Sequence, residues 1–122
     1  MKTIFSSLLI VIVASLTLMA QDQTTAITAY NEARELAQSK NYTAAIDKYS
    51  EAIEIASELG ADGEDIKSRS EKQIPKLYFT IAVDAFNDFR SGPSLEKLDT
   101  AIELFIQSEE IGTASGDTDV QR

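Results

Sequence analysis

The sequence predicts an all-α protein built from antiparallel helical hairpins, two hairpins and four helices in all, and three observations predict it. Apolar residues recur at three- and four-residue spacing along four segments. No segment alternates with period two for long enough to form a strand. An alanine-punctuated stretch, Tyr42-Thr43-Ala44-Ala45-Ile46 through Tyr49, Ala52, Ile53 and Ala56, returns in degenerate form at Leu98-Asp99-Thr100-Ala101-Ile102-Glu103-Leu104-Phe105. A unit that recurs in this way buries its apolar face against its neighbours in a stacked array. A four-helix bundle is the alternative with the same periodicity and short loops, but it has no need to repeat the paired Ala-Ile motif.

The chain opens on a segment unlike the rest. Lys2 precedes an apolar run from Ile4 to Leu18, then Ala20 and the polar Gln21-Asp22-Gln23-Thr24-Thr25. The run is shorter than the ~20 residues that cross a bilayer comfortably, so 1–20 reads as a secretory signal peptide with cleavage after Ala20; Leu18, larger than usual two positions before that bond, leaves an uncleaved N-terminal anchor as the alternative. The absence of cysteine excludes a lipoprotein anchor and any disulfide staple. The helical domain is then expected over 21–112, a length that builds one small core.

Within that domain, Ile27, Tyr30, Ala33, Leu36 and Ala37 predict a helix over 24–39 ending at Lys40-Asn41. Tyr42, Ala45, Ile46, Tyr49, Ala52, Ile53, Ala56 and Leu59 predict a second, stopped by Gly60-Ala61-Asp62-Gly63. A connection as short as Lys40-Asn41 forces these two to run antiparallel. A third helical region runs from Glu64 to Arg90, with a kink or restart expected at Ile74-Pro75 because proline lacks the amide donor. Ser91-Gly92-Pro93-Ser94 breaks the chain, Ser94 is placed as an N-cap with Glu96 in the first turn, and Leu95 to Ile111 form a fourth helix ending at Gly112. Residues 113–122 read as a polar tail or as the truncated start of a further repeat, since Glu110-Ile111-Gly112 followed by Gly116 echoes Glu58-Leu59-Gly60 followed by Gly63. On the truncated reading, the fourth helix lacks a cap and its uncovered side favours self-association.

Eleven basic against twenty acidic residues give a net charge of −9, and removing 1–20 takes away Lys2 and no acid. Such a surface repels phosphate backbones, which argues against nucleic acid, and no basic amphipathic face suggests a lipid surface once the leader is gone. Histidine and cysteine are both absent. That removes the commonest general base, the commonest low-pKa nucleophile and the usual zinc ligands, so no catalysis, cofactor or metal is expected. Glu109-Glu110 and Asp84/Asp88 read as solvated helix faces, and Asp62-Gly63-Glu64-Asp65 as turn and capping chemistry rather than a calcium loop.

Alanines where two antiparallel helices approach, with aromatic rings one turn away, resemble the tetratricopeptide repeat. The residues that carry the likeness are Ala33, Leu36, Tyr42, Ala45, Tyr49 and Ala52 in the first hairpin and Tyr78, Ile81, Ala82, Ala101 and Phe105 in the second. Ala33 to Ala82 spans 49 positions and Ala45 to Ala101 spans 56, against about 34 in the family. The resemblance implies an α-solenoid whose first helices line a concave, partner-binding face, here Tyr30, Arg34 and Gln38 followed by Phe79, Val83 and Asn87. It implies a non-catalytic scaffold that binds a protein or peptide, and the leader over 1–20 places it in a bacterial periplasm or outside the cell. A helical spacer module of a larger exported protein is the alternative.

Overall fold

The computed structural model describes residues 22–115. The expected leader over 1–20 and most of the tail, residues 116–122, lie outside the described residues. The described chain forms four helices: α1 over 22–38, α2 Tyr42–Glu58, α3 Glu64–Ser91 and α4 Leu95–Ser115, with a 3₁₀ turn Gly60–Gly63 between α2 and α3. Among the described residues there is no strand, so the chain is an all-α protein of helical hairpins.

Each hairpin connection is closed by its own local chemistry. At the end of α1, Lys40 turns left-handed (φ 62°), and Asn41 N–H donates to the Leu36 carbonyl at 2.9 Å while Lys40 N–H donates to that of Ala37. These bonds satisfy carbonyls that the helix end would otherwise leave open. The chain reverses at once, because the Asn41 carbonyl already accepts from Ala45 N–H at 3.0 Å and begins α2. Gln23 Nε2 donates to the Asp62 carbonyl at 3.4 Å, placing the start of α1 beside the turn after α2. The first hairpin is therefore antiparallel, as the short connection requires.

The second reversal uses different residues. Ser94 Oγ accepts from Lys97 N–H at 3.2 Å, the N-cap bond expected at the start of α4. Lys97 Nζ pairs with Asp88 at 3.0 Å and ties that start to the end of α3.

Two features differ from the sequence expectation. α3 does not restart at Pro75 but runs unbroken from Glu64 to Ser91, with Pro75 inside it and fully buried. The proline removes one bond to the Glu71 carbonyl, and Glu71 lies on an exposed position where solvent reaches it. The apolar ring, meanwhile, gains full burial. α4 also passes through Gly112 to Ser115. Gly112 is buried, and the helix continues through it although glycine costs roughly 1 kcal/mol relative to alanine there.

The core is assembled around alanines. Ala33, Ala45, Ile46, Tyr49 and Leu77 form one buried cluster drawn from α1, α2 and α3, with Tyr30, Leu36, Ala37, Tyr42, Ile74, Tyr78 and Ile81 packed against it. α3 thus lies across the first hairpin through its Ile74, Leu77, Tyr78 and Ile81 stripe, and α4 packs on α3. Ala45 and Ala101 are fully covered. Enlarging either to leucine is expected to cost about 1–3 kcal/mol by overpacking, more clearly at Ala45, whose surroundings are closed on every side. Denaturant midpoints measure this, and unchanged midpoints would remove these alanines from the helix contacts.

The far side of the second hairpin is open. Leu95, Ile102 and Ile106 on α4 are 80%, 48% and 52% exposed, and Phe79 and Phe86 on α3 are each 40% exposed. A closed bundle buries the inner face of its last helix. A stack of hairpins leaves one face of its end unit uncovered.

Candidate functional site

The two hairpins share a local geometry that can be followed residue by residue. Tyr30 and Phe79 stand 49 positions apart, as do Ala33 and Ala82; Tyr49 and Phe105 stand 56 apart, as do Ala45 and Ala101. In the first hairpin the Tyr30 and Tyr49 rings meet edge-on, with centroids 5.6 Å apart and planes at 64°. In the second, Phe79 and Phe105 meet the same way at 5.9 Å and 67°. All four partner alanines are buried. A methyl at each crossing lets the helix backbones approach, and a ring pair fills the volume one turn away.

The six residues implied to line a binding face fall at matching places on α1 and α3. Tyr30, Arg34 and Gln38 follow one another at four-residue spacing, and Phe79, Val83 and Asn87 repeat it. Such spacing makes a stripe along one side of a helix. Arg34, Gln38 and Asn87 are exposed, whereas Val83 and Tyr30 are half-buried. Tyr30 leans on Tyr49, so its ring completes the packing between α1 and α2. Phe79 leans on Phe105 in the same way but keeps two-fifths of its surface open. The stripe is thus polar and accessible at Arg34, Gln38 and Asn87, and anchored into the fold at its two rings.

A second surface emerges that the sequence only half revealed. Phe86 lies 6.5 Å from Phe105 and 6.2 Å from Phe89 between ring centroids, which extends the Phe79–Phe105 pair into an aromatic cluster. On α4, Ile102 and Ile106, three residues before and one after Phe105, are also exposed. The signal for this patch was the offset of 56: Ile46, 8% exposed in the first hairpin, corresponds to Ile102, which is 48% exposed. An open groove of about 380 Å³ lies elsewhere, lined by Ile53, Ile74, Pro75, Ile111 and Ala114 with Glu71 as its one ionisable residue.

Electrostatics around these surfaces are those of a solvated helical protein. Lys48 bridges Glu51 at 2.7 Å and Glu32 at 3.0 Å, linking α2 to α1, and these two hydrogen bonds raise its pKa above the usual lysine value. Burial pushes the Tyr49 hydroxyl up, the neighbouring Tyr30 adds to this, and Arg34 opposes it. Asp65 pairs with Arg69 at 3.0 Å and, with Glu64, occupies the first turn of α3, where a helix favours negative charge. Among the described residues no group of three or more Asp or Glu is disposed to hold a metal ion. No helix among them is long and apolar enough to cross a membrane. No protein-family model matches the chain, and no curated protein or solved structure matches it either.

Proposed function

We propose that the chain is an exported, non-catalytic scaffold of tetratricopeptide type that binds a protein or peptide along the first-helix face of its two hairpins. The observation that supports this reading is the duplication of one stripe on adjacent units. Arg34 and Gln38 on α1 and Asn87 on α3 present accessible donors and acceptors, and Tyr30 and Phe79 stand at equivalent places in matching ring pairs. Repeated polar positions beside fixed aromatic anchors suit recognition of an extended or helical segment. Export rests on the leader-like residues 1–20, with release into a periplasm or the extracellular space.

The cover of Tyr30 by Tyr49 favours a second reading, a helical spacer within a larger exported protein. An affinity capture from the exported fraction separates the two. Wild type is compared with an Arg34→Ala/Gln38→Ala/Asn87→Ala variant, whose changes are all at exposed sites. A protein retained by wild type and lost from the variant supports the scaffold; identical retention by both, or none by either, supports the spacer. Intact-mass measurement of the secreted product tests export, and retention of Met1 to Ala20 would refute cleavage.

A further inference from the structure

We infer that the open face of the second hairpin, made by Phe79, Phe86, Ile102, Phe105 and Ile106, receives a basic amphipathic helix from a partner protein. The first hairpin supplies the template. Its equivalent surface, with Tyr30 and Tyr49 in the same ring geometry and Ile46 in the place of Ile102, is covered by an amphipathic helix of this chain. That helix is the middle of α3, which applies Ile74, Leu77, Tyr78 and Ile81 at spacings of three, one and three. Under this cover Ile46 is 8% and Tyr49 2% exposed. In the second hairpin Ile102 is 48% exposed and Phe105 is half-buried. The same pattern of residues is present, without a covering helix among the described residues. An apolar face of this kind marks an interaction site when its rim is polar.

The acids on the α4 side select the occupant, while on the α3 side Lys76 and Arg90 are exposed three residues before Phe79 and four after Phe86. α4 displays Glu96, Asp99, Glu103, Glu109 and Glu110, all exposed. Its one cation, Lys97, is already paired with Asp88. The covering segment in the first hairpin has the opposite balance, with Lys67, Arg69, Lys72 and Lys76 against Glu71 between Ile66 and Ile81. A second copy docked through its own α4 would bring carboxylates against carboxylates, which raises the energy of the complex. A helix with an apolar stripe and flanking lysines or arginines meets both the rings and the acids.

This surface is independent of the polar stripe proposed above, except that Phe79 touches both, and the test uses residues that belong to one alone. The probe is a synthetic peptide of residues 66–82, the segment that covers the first hairpin. It is titrated into the full chain while the isoleucine methyl signals are followed by NMR. Binding is expected to shift Ile102 and Ile106, to weaken at least tenfold in an Ile102→Asp/Ile106→Asp variant, and to weaken with added salt. A peptide with its four cations changed to glutamate should fail to bind. Asp99→Lys/Glu103→Lys, at exposed positions that leave the core untouched, should also weaken it, while Arg34→Ala/Gln38→Ala/Asn87→Ala should leave it unchanged. Absence of binding, or shifts confined to the first hairpin, would overturn the inference. So would a concentration-dependent dimer abolished by Ile106→Asp in sedimentation, which would make a second copy the occupant.

Discussion

Truncating Tyr49 to alanine is expected to lower stability by about 3–5 kcal/mol, the range for emptying a large aromatic site from a closed core. Tyr49 is 2% exposed and its ring meets Tyr30 edge-on, while Ala33, Ala45, Ile46 and Leu77 share its cluster. Its neighbours sit on three different helices and are already packed against one another, so filling the space requires moving a helix. The equivalent change Phe105→Ala should cost clearly less, since its ring is only half-buried and lies beside the exposed Phe79 and Phe86. Chemical denaturation of the two variants checks both statements. Equal losses would mean that the second hairpin is as well covered as the first.

Gly63→Ala is expected to be the most damaging small substitution, at roughly 3 kcal/mol, the upper end of overpacking costs. A Cβ at Gly63 would lie 2.7 Å from the Ala56 carbonyl carbon and 2.8 Å from its Cα, inside contact distance of backbone that cannot rotate away. Either α2 shortens or α3 starts in a different direction. Gly60, on the same turn, provides the contrast. It has φ of 60° but open space around a Cβ, so alanine there meets only the left-handed backbone preference, of order 1 kcal/mol. Thermal unfolding of the two single variants measures the difference, and a smaller loss at Gly63 than at Gly60 would contradict the close approach.

Much of this architecture was legible because the residues that make it are chemically unambiguous. Ser94 caps α4 as its position before Glu96 suggested, and Ala33, Ala45, Ala82 and Ala101 are buried where the recurring motif placed them. Pro75 does not restart the helix and Gly112 does not end it, because local preference is judged against an isolated helix. In the folded chain one lost bond at Pro75 is exchanged for a buried ring, and Gly112 is buried within α4. The direction of Tyr30 was harder still. Its spacing fixes the side of α1 that it occupies, but only α2, through Tyr49, decides that the ring lies down against a neighbour. The opening between α3 and α4 was half visible, since an apolar stripe in sequence looks the same whether or not another helix covers it.

The 28-residue α3 belongs to both hairpins at once. Its Ile74, Leu77, Tyr78 and Ile81 side is the lid of the first unit, and its Phe79 and Phe86 side is one arm of the second. The chain therefore has no place where it can be divided into two independently folding pieces. Melting of the first hairpin exposes Ile74, Leu77, Tyr78 and Ile81 and removes the support on which α4 rests. α4, held on one side only, can open alone and leave the rest intact. Hydrogen exchange should accordingly resolve an early event confined to 95–115 and then a single cooperative loss of everything before it, with the length of one helix setting the size of the cooperative unit.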